Sequence, residues 1–541
     1  MKKNTALFWI RDTLRGRWLR IVLQIFLKCL SVACGAFMAL FLRDVIDIAT
    51  QKQLSLLYQK LFMLVGLVAL QYTLAYLSSR MQATINIFVS TGIRQRTMRK
   101  LFMRSYAEIE DFHSGELMNR LTTDAETVAN VATALLPEVV SMSLQILFVG
   151  ILLGTMSWRL LVIASAVGVA TGIGSLLMRP ITKRMQRDVR TKEGKVRGFM
   201  QETLLNLPVI KAFAAADVFA GQLAAVQDES IRSRMRQRRL SSLTHTLVGF
   251  GFSASYLVSL GWCAVQLVTN PMFSYGTLTA ILQLVSQIRS PIAGMGNVVP
   301  NYYTMLVSAE RLMELEALTA EEEHSEDMSD LAELRAEGLS FGYREDEPVL
   351  ADVNMTVQRG ALVALTGRSG IGKSTLMKLL LALYQPDCGT LTLRRQDGTE
   401  RPLSAATRTA FAYVPQGNML FSGTVRQNVA LFCEEVSEEK VWEALRVACA
   451  DDFVREMPEG LDTPLREDGQ GVSEGQAQRI AVARALVTLA PMLLLDEATS
   501  ALDEKTELTL LHNIRETGRT CLIISHRPRV MEVATAVVEL G

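Results

Sequence analysis

Two stretches in the second half of the chain carry residues able to handle a phosphate chain. Positions 367–375 read Gly367, Arg368, Ser369, Gly370, Ile371, Gly372, Lys373, Ser374 and Thr375. This is the G-x-x-x-x-G-K-[ST] spacing, in which glycines let the backbone curl until its N–H groups converge on phosphate oxygens. Lys373 supplies a mobile positive charge and Ser374 a hydroxyl that can ligate magnesium. The helix expected over 375–383 adds a favourable dipole. The second stretch is the apolar run 492–495, which closes on Asp496 and Glu497. A carboxylate at a strand end beside a phosphate loop can hold magnesium directly or through water, and its neighbour can polarise an attacking water. Asp496 is expected in the first role and Glu497 in the second. A solvated acidic turn is the bland alternative for an isolated Asp-Glu pair, but it leaves the phosphate loop without a partner.

Such residues need a rigid frame. The apolar run 361–365 ahead of the loop reads as a strand, and the run 375–383 behind the loop reads as a helix. From about residue 333 onward strands and helices alternate, which predicts an α/β domain with a mainly parallel sheet. An acidic, polar stretch around Glu321, Glu322, Glu323, His324, Ser325, Glu326 and Asp327 marks the expected linker. The domain reading is therefore 1–316, a linker over 317–332, and 333–541.

The first part has a different composition. The 541-residue chain is 49% hydrophobic, with mean hydropathy +0.21, and its long apolar runs lie before about residue 300. A bilayer-spanning helix needs about 20 mainly apolar residues. Six runs qualify: 21–42, 61–77, 139–158, 160–178, 246–268 and 277–298. The last is interrupted by Gln283, Gln287, Arg289 and Pro291. Its Gln283 and Gln287, one turn apart, either face a cavity or make a helix–helix contact. Lys28 lies inside the first run and can snorkel toward the surface. Tyr72, Tyr76, Tyr256 and Trp262 either line an apolar pocket or serve packing.

Basic residues give the orientation. They crowd the N-terminal segment, the connection after the second run (Arg80, Arg94, Arg96, Arg99, Lys100, Arg104) and the connection after the fourth (Arg179, Lys183, Arg184, Arg187, Arg190, Lys192, Lys195). Residues 269–276 carry no Lys or Arg. Both termini and the α/β domain are therefore expected in the cytoplasm of a multi-pass cell-membrane protein. The two basic connections, roughly 80–135 and 180–243, are poor in Gly and Pro and read as helices continuing about 30 Å past the membrane. Breaks at 111–115 and 206–208 are the expected hairpin tips. No short apolar core with a cleavage site stands behind the N-terminus, so no cleaved signal peptide is expected. The seven cysteines are scattered, without C-x-x-C pairs or zinc spacing, and read as reduced structural thiols. A net charge of +1 predicts no acidic or basic partner, and the apolar runs argue against a soluble enzyme or a nucleic-acid-binding ATPase.

Together these motifs resemble one family. The phosphate loop, Gln416, the run Val472, Ser473, Glu474, Gly475, Gln476, then Asp496, Glu497 and Asp503, and finally His526 occur in the order and spacing of the ATP-binding-cassette transporters. Segments 115–124 and 209–213 resemble the coupling regions of its six-helix exporters. The resemblance covers the whole chain and implies an all-α polytopic membrane domain fused to an α/β P-loop NTPase domain. It further implies ATP and Mg2+ as ligands, and a second half-transporter as partner in a homodimer or heterodimer. The implied activity is ATP hydrolysis coupled to movement of a small-molecule, lipid or peptide substrate across a lipid bilayer, with export of a hydrophobic or amphipathic compound as the leading reading. Uptake of siderophore type, or a regulatory role in a heterodimer, are the alternatives.

The resemblance also implies site roles. Tyr343 stacks on adenine, while Gln416 touches magnesium and water. Ser473, Gly475 and Gln476 belong to the signature segment that meets the γ-phosphate held by the opposite subunit. Asp503 links the two sites and His526 contacts the γ-phosphate. Catalysis thus falls to Glu497, His526 and Gln416, and magnesium to Ser374, Gln416 and Asp496. The chain departs from the family pattern at Glu474, where glycine is usual, and at Val472, where leucine is usual. A carboxylate at 474 repels a triphosphate unless it turns away or pairs with a cation.

Overall fold

The apolar runs fold as helices that outlast them. In the computed structural model α1 is Lys3–Thr13, α2 Trp18–Thr50, α3 Leu54–Leu101, α4 Tyr106–Glu110, α5 Ser114–Asn119, α6 Ala125–Met156, α7 Trp158–Leu205, α8 Leu207–Ala212, α9 Ala216–Thr269 and α10 Tyr275–Glu316. The structure describes all residues except 1–2, 323, 345–346, 369, 418–419, 434, 466–470 and 541, and leaves undescribed the side chains of 3–4, 164, 169, 171–173, 175–177, 179 and 245. Helices of 48 residues, such as α3 and α7, extend about 70 Å, more than twice the hydrocarbon thickness of a bilayer. Among the described residues α2, α3, the stretch Ser114–Met156 and α9 are long and apolar enough to cross a membrane, and Trp158–Gly168 at the start of α7 is apolar over a shorter length. α10 falls short by composition, as its polar residues anticipate.

The chain divides into two units. One comprises Met1–Met98 with Ser114–Glu316; the other comprises Arg99–His113 with Ala317–Gly541. In the first unit α6 packs along α10 and α7 along α9. A core of Trp9, Ile10, Ile85, Val89, Ile93, Val128 and Leu312 joins α1, α3, α6 and α10. Polar contacts fix its register: Trp9 Nε1 donates to Glu316 Oε2 at 3.1 Å, and Arg96 reaches Asp12 at 2.9 Å and Glu316 at 3.3 Å. A second core of Ala39, Val149, Leu153, Leu160, Cys263, Ile281 and Leu284 lies further along the bundle. Asp47 of α2 caps the start of α10, accepting from Gly276 N and Ser274 Oγ, both at 2.8 Å.

Gln287 makes a helix–helix contact. Its Nε2 donates to Gly35 O at 3.0 Å, and its own carbonyl accepts from Gln145 at 3.2 Å. Lys28 is half-buried on the stripe of α2 that includes Gln24 and Ser31. Gln24 donates to Gln82 at 3.4 Å and Ser31 to Gln71 O at 3.1 Å. Tyr72 and Tyr76 are exposed, and Trp262 packs edge-on against Phe273.

The charged segment 115–124 has a structural role. Glu116, Arg120 and Asp124 lie four residues apart, on a helix that loosens into a π turn over Arg120–Asp124. Arg120 contacts Glu116 and Glu314, each at 2.7 Å, and Ser308 donates to Asp124 at 2.7 Å. The segment thereby clasps α10. The five-residue helix before it, α4, belongs to the other unit.

That second unit adds β1 Leu331–Arg344, β2 Glu347–Gln358, β3 Leu362–Gly367, α11 Lys373–Leu380, β4 Cys388–Arg395, β5 Glu400–Pro402, β6 Phe411–Val414, β7 Gly423–Thr424, α12 Val425–Val429, α13 Glu438–Val447, α14 Asp451–Glu456, β8 Pro464–Leu465, α15 Glu474–Val487, β9 Met492–Asp496, α16 Glu504–Glu516, β10 Thr520–Ile524, α17 Pro528–Val533 and β11 Ala536–Leu540. Five strands form a sheet in the order β11-β3-β10-β9-β6, every neighbouring pair parallel. Strands β3, β10 and β9 are short apolar runs buried on both faces, as a helix-covered parallel sheet requires, whereas β11 is an exposed edge. An antiparallel sheet, β2-β1-β4-β5, lies beside it.

The residues after α10 pack onto this unit. Glu321 holds Arg408 through two bonds of 2.6 and 2.9 Å, Met328 is fully buried, and Ser105 N donates to Thr319 O at 2.9 Å. The described cysteines are all free thiols.

Candidate active site

The parallel order places the carboxyl ends of β3, β10, β9 and β6 along one edge, where parallel α/β sheets present their ligand sites. Four loops leave that edge: the phosphate loop after β3, Gln416 after β6, Asp496 and Glu497 at the end of β9, and His526 after β10. Register aligns them, since Leu365 pairs with Ile524, Ile524 with Asp496, and Val414 with Leu495.

Glycine is required at two points of the phosphate loop. Gly367 has φ +144° and a Cβ there would lie 2.7 Å from Leu540 O; Gly372 has φ +101° and a Cβ would lie 2.8 Å from Leu350. Gly370 and Ile371 complete the turn, Arg368 is exposed, and Ser369 lies outside the described residues. Lys373 is buried, and its Nζ donates to the carbonyls of Gly367 and Arg368, both at 2.9 Å. The ammonium thus sits in the hood of the loop, held by carbonyls that a phosphate can replace.

Ser374 and Asp496 meet, as their expected shared role demands: Ser374 Oγ donates to Asp496 Oδ1 at 3.2 Å. Tyr413 OH donates to Asp496 Oδ2 at 3.4 Å. Burial, and next the charge of Glu497, push the Asp496 carboxyl above its ordinary range, while the bonds from Ser374 and Tyr413 and the charge of Lys373 oppose the rise. Burial, and then Asp496, also raise the Tyr413 phenol, so Tyr413 stays a donor at neutral pH. Sequence reasoning gave Tyr413 no role. Its only signal is its place three residues before Gln416 at the end of an apolar strand.

Glu497 sits between two groups. Gln416 Nε2 donates to Glu497 Oε2 at 2.8 Å, and His526 Nε2 lies 3.8 Å from Glu497 Oε1. Glu497 has φ +50°, a left-handed conformation that a non-glycine residue holds at a cost and that recurs at functional sites. Unlike Asp496, this carboxylate is partly open to solvent. A water at Glu497 therefore has one acceptor for its proton and two polar neighbours to orient it, the arrangement phosphoryl transfer to water uses.

The signature residues form a separate feature. Ser473 caps α15: Gln476 N donates to Ser473 Oγ at 3.3 Å and Ser473 N to Gln476 Oε1 at 2.9 Å. Gly475 is pressed against the next loop, since a Cβ there would lie 2.9 Å from Ala501 O. Asp503 caps α16 through Thr506 N at 3.0 Å; the bonds from Thr506 hold its carboxyl below the usual range. No hydrogen bond or ion pair among the described residues joins this segment to Lys373, Asp496, Glu497 or His526. Glu474 is exposed at the first position of α15. Sequence reasoning also missed Arg527, which fixes the loop between Glu497 and Asp503 by donating to Glu507 at 2.7 Å and Ser500 O at 2.9 Å.

Tyr343 lies at the rim, 48% exposed, its hydroxyl 3.2 Å from Thr375 Oγ1. Its ring meets Phe341 and Tyr384 edge-on.

A phosphate loop, a serine–aspartate pair and a glutamate set between glutamine and histidine, all joined to a bundle of long apolar helices, define a membrane-embedded ATPase. Comparison with known proteins identifies the family. Residues 21–292 match the ABC transporter transmembrane region, and residues 350–500 match the ABC transporter family model. The chain belongs to the ABC transporters, with membrane region and ATP-hydrolysing domain fused in one polypeptide. It is 30% identical over 520 residues to the ATP-dependent lipid A-core flippase of Salmonella typhimurium, covering 94% of this chain and 88% of that one. Against the flippase of Escherichia coli the identity is 29% over 522 residues, with the same coverage. The fold matches a bacterial Atm1-family ABC exporter with ATP bound, at TM-score 0.80 and 20% identity, over 98% of this chain and 94% of the other.

Proposed function

We propose that this ABC transporter is one half of a dimeric exporter that uses Mg-ATP to carry an amphipathic, lipid-like substrate out of the cytoplasmic leaflet. The observation that carries the reading is the convergence of Lys373, the Ser374–Asp496 pair and the Gln416–Glu497–His526 group at one sheet edge in a chain whose other half is long apolar helices. The lipid-like substrate class is supported by the flippase relatives.

The site roles rest on the chemistry of each group. Lys373 and the loop N–H groups hold the phosphates, and Tyr343 stacks on adenine. Ser374, Asp496 and Gln416 offer the hard oxygen donors that Mg2+ prefers, in a partial set that phosphate oxygens complete. When bound, Mg2+ neutralises charge developing on the phosphates. Glu497 accepts the proton of the attacking water, with Gln416 and His526 orienting it. Ser473, Gly475 and Gln476 supply the opposite face of a partner's nucleotide, and Asp503 lies between the two sites.

Two features support a partner chain. The signature segment is separate from the phosphate cluster of its own chain. The second cytoplasmic tip also bares Leu204, Leu205, Val209, Phe213 and Val218, a group of apolar side chains that favours covering by another surface. The alternation of basic and poor connections supports a cytoplasmic ATPase domain. The domain reading remains 1–316, 317–332 and 333–541. Coupling then requires ATP to bind the closed pair more tightly than the open one.

The test is transport by the purified chain in inverted vesicles, using a fluorescent amphipathic lipid and, in parallel, a ferric siderophore. ATP-dependent accumulation of the lipid probe inside, absent in Glu497→Gln, is expected. ATP-dependent exit of preloaded siderophore would reverse the direction, and no turnover by the chain alone would favour a regulatory subunit of a heterodimer.

A further inference from the structure

Beside the phosphate-handling residues lies a cluster with no part in that chemistry. Tyr343 packs edge-on against Tyr384, ring centroids 5.3 Å apart at 89°, and Tyr384 packs edge-on against Tyr106 of α4, 6.1 Å apart at 80°. Lys378, one helical turn beyond Ser374 on α11, lies with its Nζ 5.7 Å from the Tyr343 centroid and 5.6 Å from that of Tyr384. The same ammonium binds Glu110 Oε1 of α4 at 3.1 Å. One cation thus touches the ring at the nucleotide rim, the ring behind it and a carboxylate of the first cytoplasmic connection.

The components reinforce one another. Burial works against the Lys378 ammonium, yet its bond to Glu110 and the nearby Tyr343 hold it above the usual lysine range. It stays charged at every physiological pH. The charge is shared by two electron-rich rings, an attraction that strengthens where water is partly excluded. Tyr343 is also tethered through its hydroxyl to Thr375, so the ring cannot tilt without loading Lys378 or Thr375. Its remaining surface is open to receive a flat aromatic base.

We propose that Tyr384 and Lys378 are positioning residues that tie the base-stacking ring of Tyr343 to α4, so that the nucleobase, and not the phosphates alone, biases the first cytoplasmic connection. The proposal rests on the reading of Tyr343 as the adenine-stacking ring. Linkage makes it reciprocal: if residues of α4 alter affinity for the base, the base alters the placement of α4 by the same free energy. The recognised ligand is the purine ring of a nucleoside triphosphate, and a bare polyphosphate leaves the relay unloaded.

The experiment uses the full-length transporter in lipid, with KM for Mg-ATP and the competitive inhibition constant of Mg-tripolyphosphate measured side by side. Glu110→Gln, a surface change that removes the counter-charge, is expected to raise KM for ATP roughly threefold to tenfold, the size of a weakened cation–π contact, with kcat changed less than about twofold. The tripolyphosphate constant should not move. Lys378→Met should reproduce the KM rise and Lys378→Arg should largely restore it. In a Tyr343→Leu background Glu110→Gln should add nothing, because the ring it acts through is gone.

The proposal is overturned if KM does not change in Glu110→Gln, if both constants rise together, or if the effects multiply in the double variant. Tyr343→Leu alone separates this failure from that of the underlying reading. A raised KM there with an inert Glu110→Gln sinks only the relay, whereas an unchanged KM sinks the adenine-stacking role and the relay with it.

Discussion

The two polar edges of the ATPase unit differ in how their groups are satisfied. At the strand ends, Ser374 meets Asp496, and Gln416 and His526 flank Glu497, while Lys373 is held by the carbonyls of its own loop; the burial of Lys373 and Asp496 strengthens their contacts electrostatically. At the start of α15, Ser473 and Gln476 close on themselves as a capping box, Gly475 is pressed against Ala501, and Glu474 projects into solvent. The first edge is assembled for chemistry within one chain. The second is capped and open, which fits the proposal that it meets a partner chain's nucleotide.

The contrast can be broken first at the strand edge. Glu497→Gln keeps the bond from Gln416 in form but removes the proposed acceptor for the water proton. Turnover should fall by about 100-fold or more, while binding of a fluorescent ATP analogue stays within a few-fold. Hydrolysis persisting near the wild-type rate would remove Glu497 from its role.

A smaller effect is expected at the other edge. At the first position of α15 the Glu474 carboxylate favours its own helix dipole but opposes any triphosphate brought to that helix start. Glu474→Gly should therefore lower KM for ATP by about threefold to tenfold at low salt, while weakening α15 by roughly 1 kcal/mol. The KM gap should shrink as ionic strength rises, since exposed charges are screened. A KM that is unchanged at every salt concentration would mean that the carboxylate never faces the nucleotide.

The same contrast explains what could be read in the sequence. The strand-edge groups are carried by motifs whose local neighbours impose them: Gly367 and Gly372 because a positive φ and close packing there disfavour any side chain, Asp496 and Glu497 because an apolar strand ends on them. Ser473 with Gln476 is legible as a helix start for the same reason. What was not legible depends on residues far apart in the chain. Tyr413 under Asp496, Lys378 between Tyr343 and Glu110, and Arg527 on Glu507 owe their roles to the sheet order and to the packing of α4. No local spacing encodes either. In the helical bundle, the run 277–298 kept both readings of Gln287 open, because periodicity gives a face but not its neighbour; Gly35 O decided it. The segment 115–124 resembles a coupling region; its charges bond to α10, and the five residues of α4 before it belong to the ATPase unit.

The least disruptive probe of the strand edge is its buried carboxylate. Asp496 is held above its ordinary range by burial and by Glu497, so the folded, nucleotide-free protein binds that proton more tightly than the unfolded chain does. Its ionisation therefore costs stability, and the cost grows as pH rises from the ordinary aspartate range through the raised folded value. Asp496→Asn removes the cost. The hydroxyls of Ser374 and Tyr413 can each rotate to accept from the new amide, so few hydrogen bonds are lost. Without nucleotide the variant should unfold later than the wild type at neutral pH, by about 1 kcal/mol. The two should converge below the ordinary aspartate range, where both side chains are neutral. Thermal unfolding in detergent across that pH range measures the gap, and a gap independent of pH would show that the benefit comes from packing and not from the relieved charge. The same variant should lose Mg-dependent turnover, so that stability and activity separate at a single atom pair, Ser374 Oγ and the former Asp496 Oδ1.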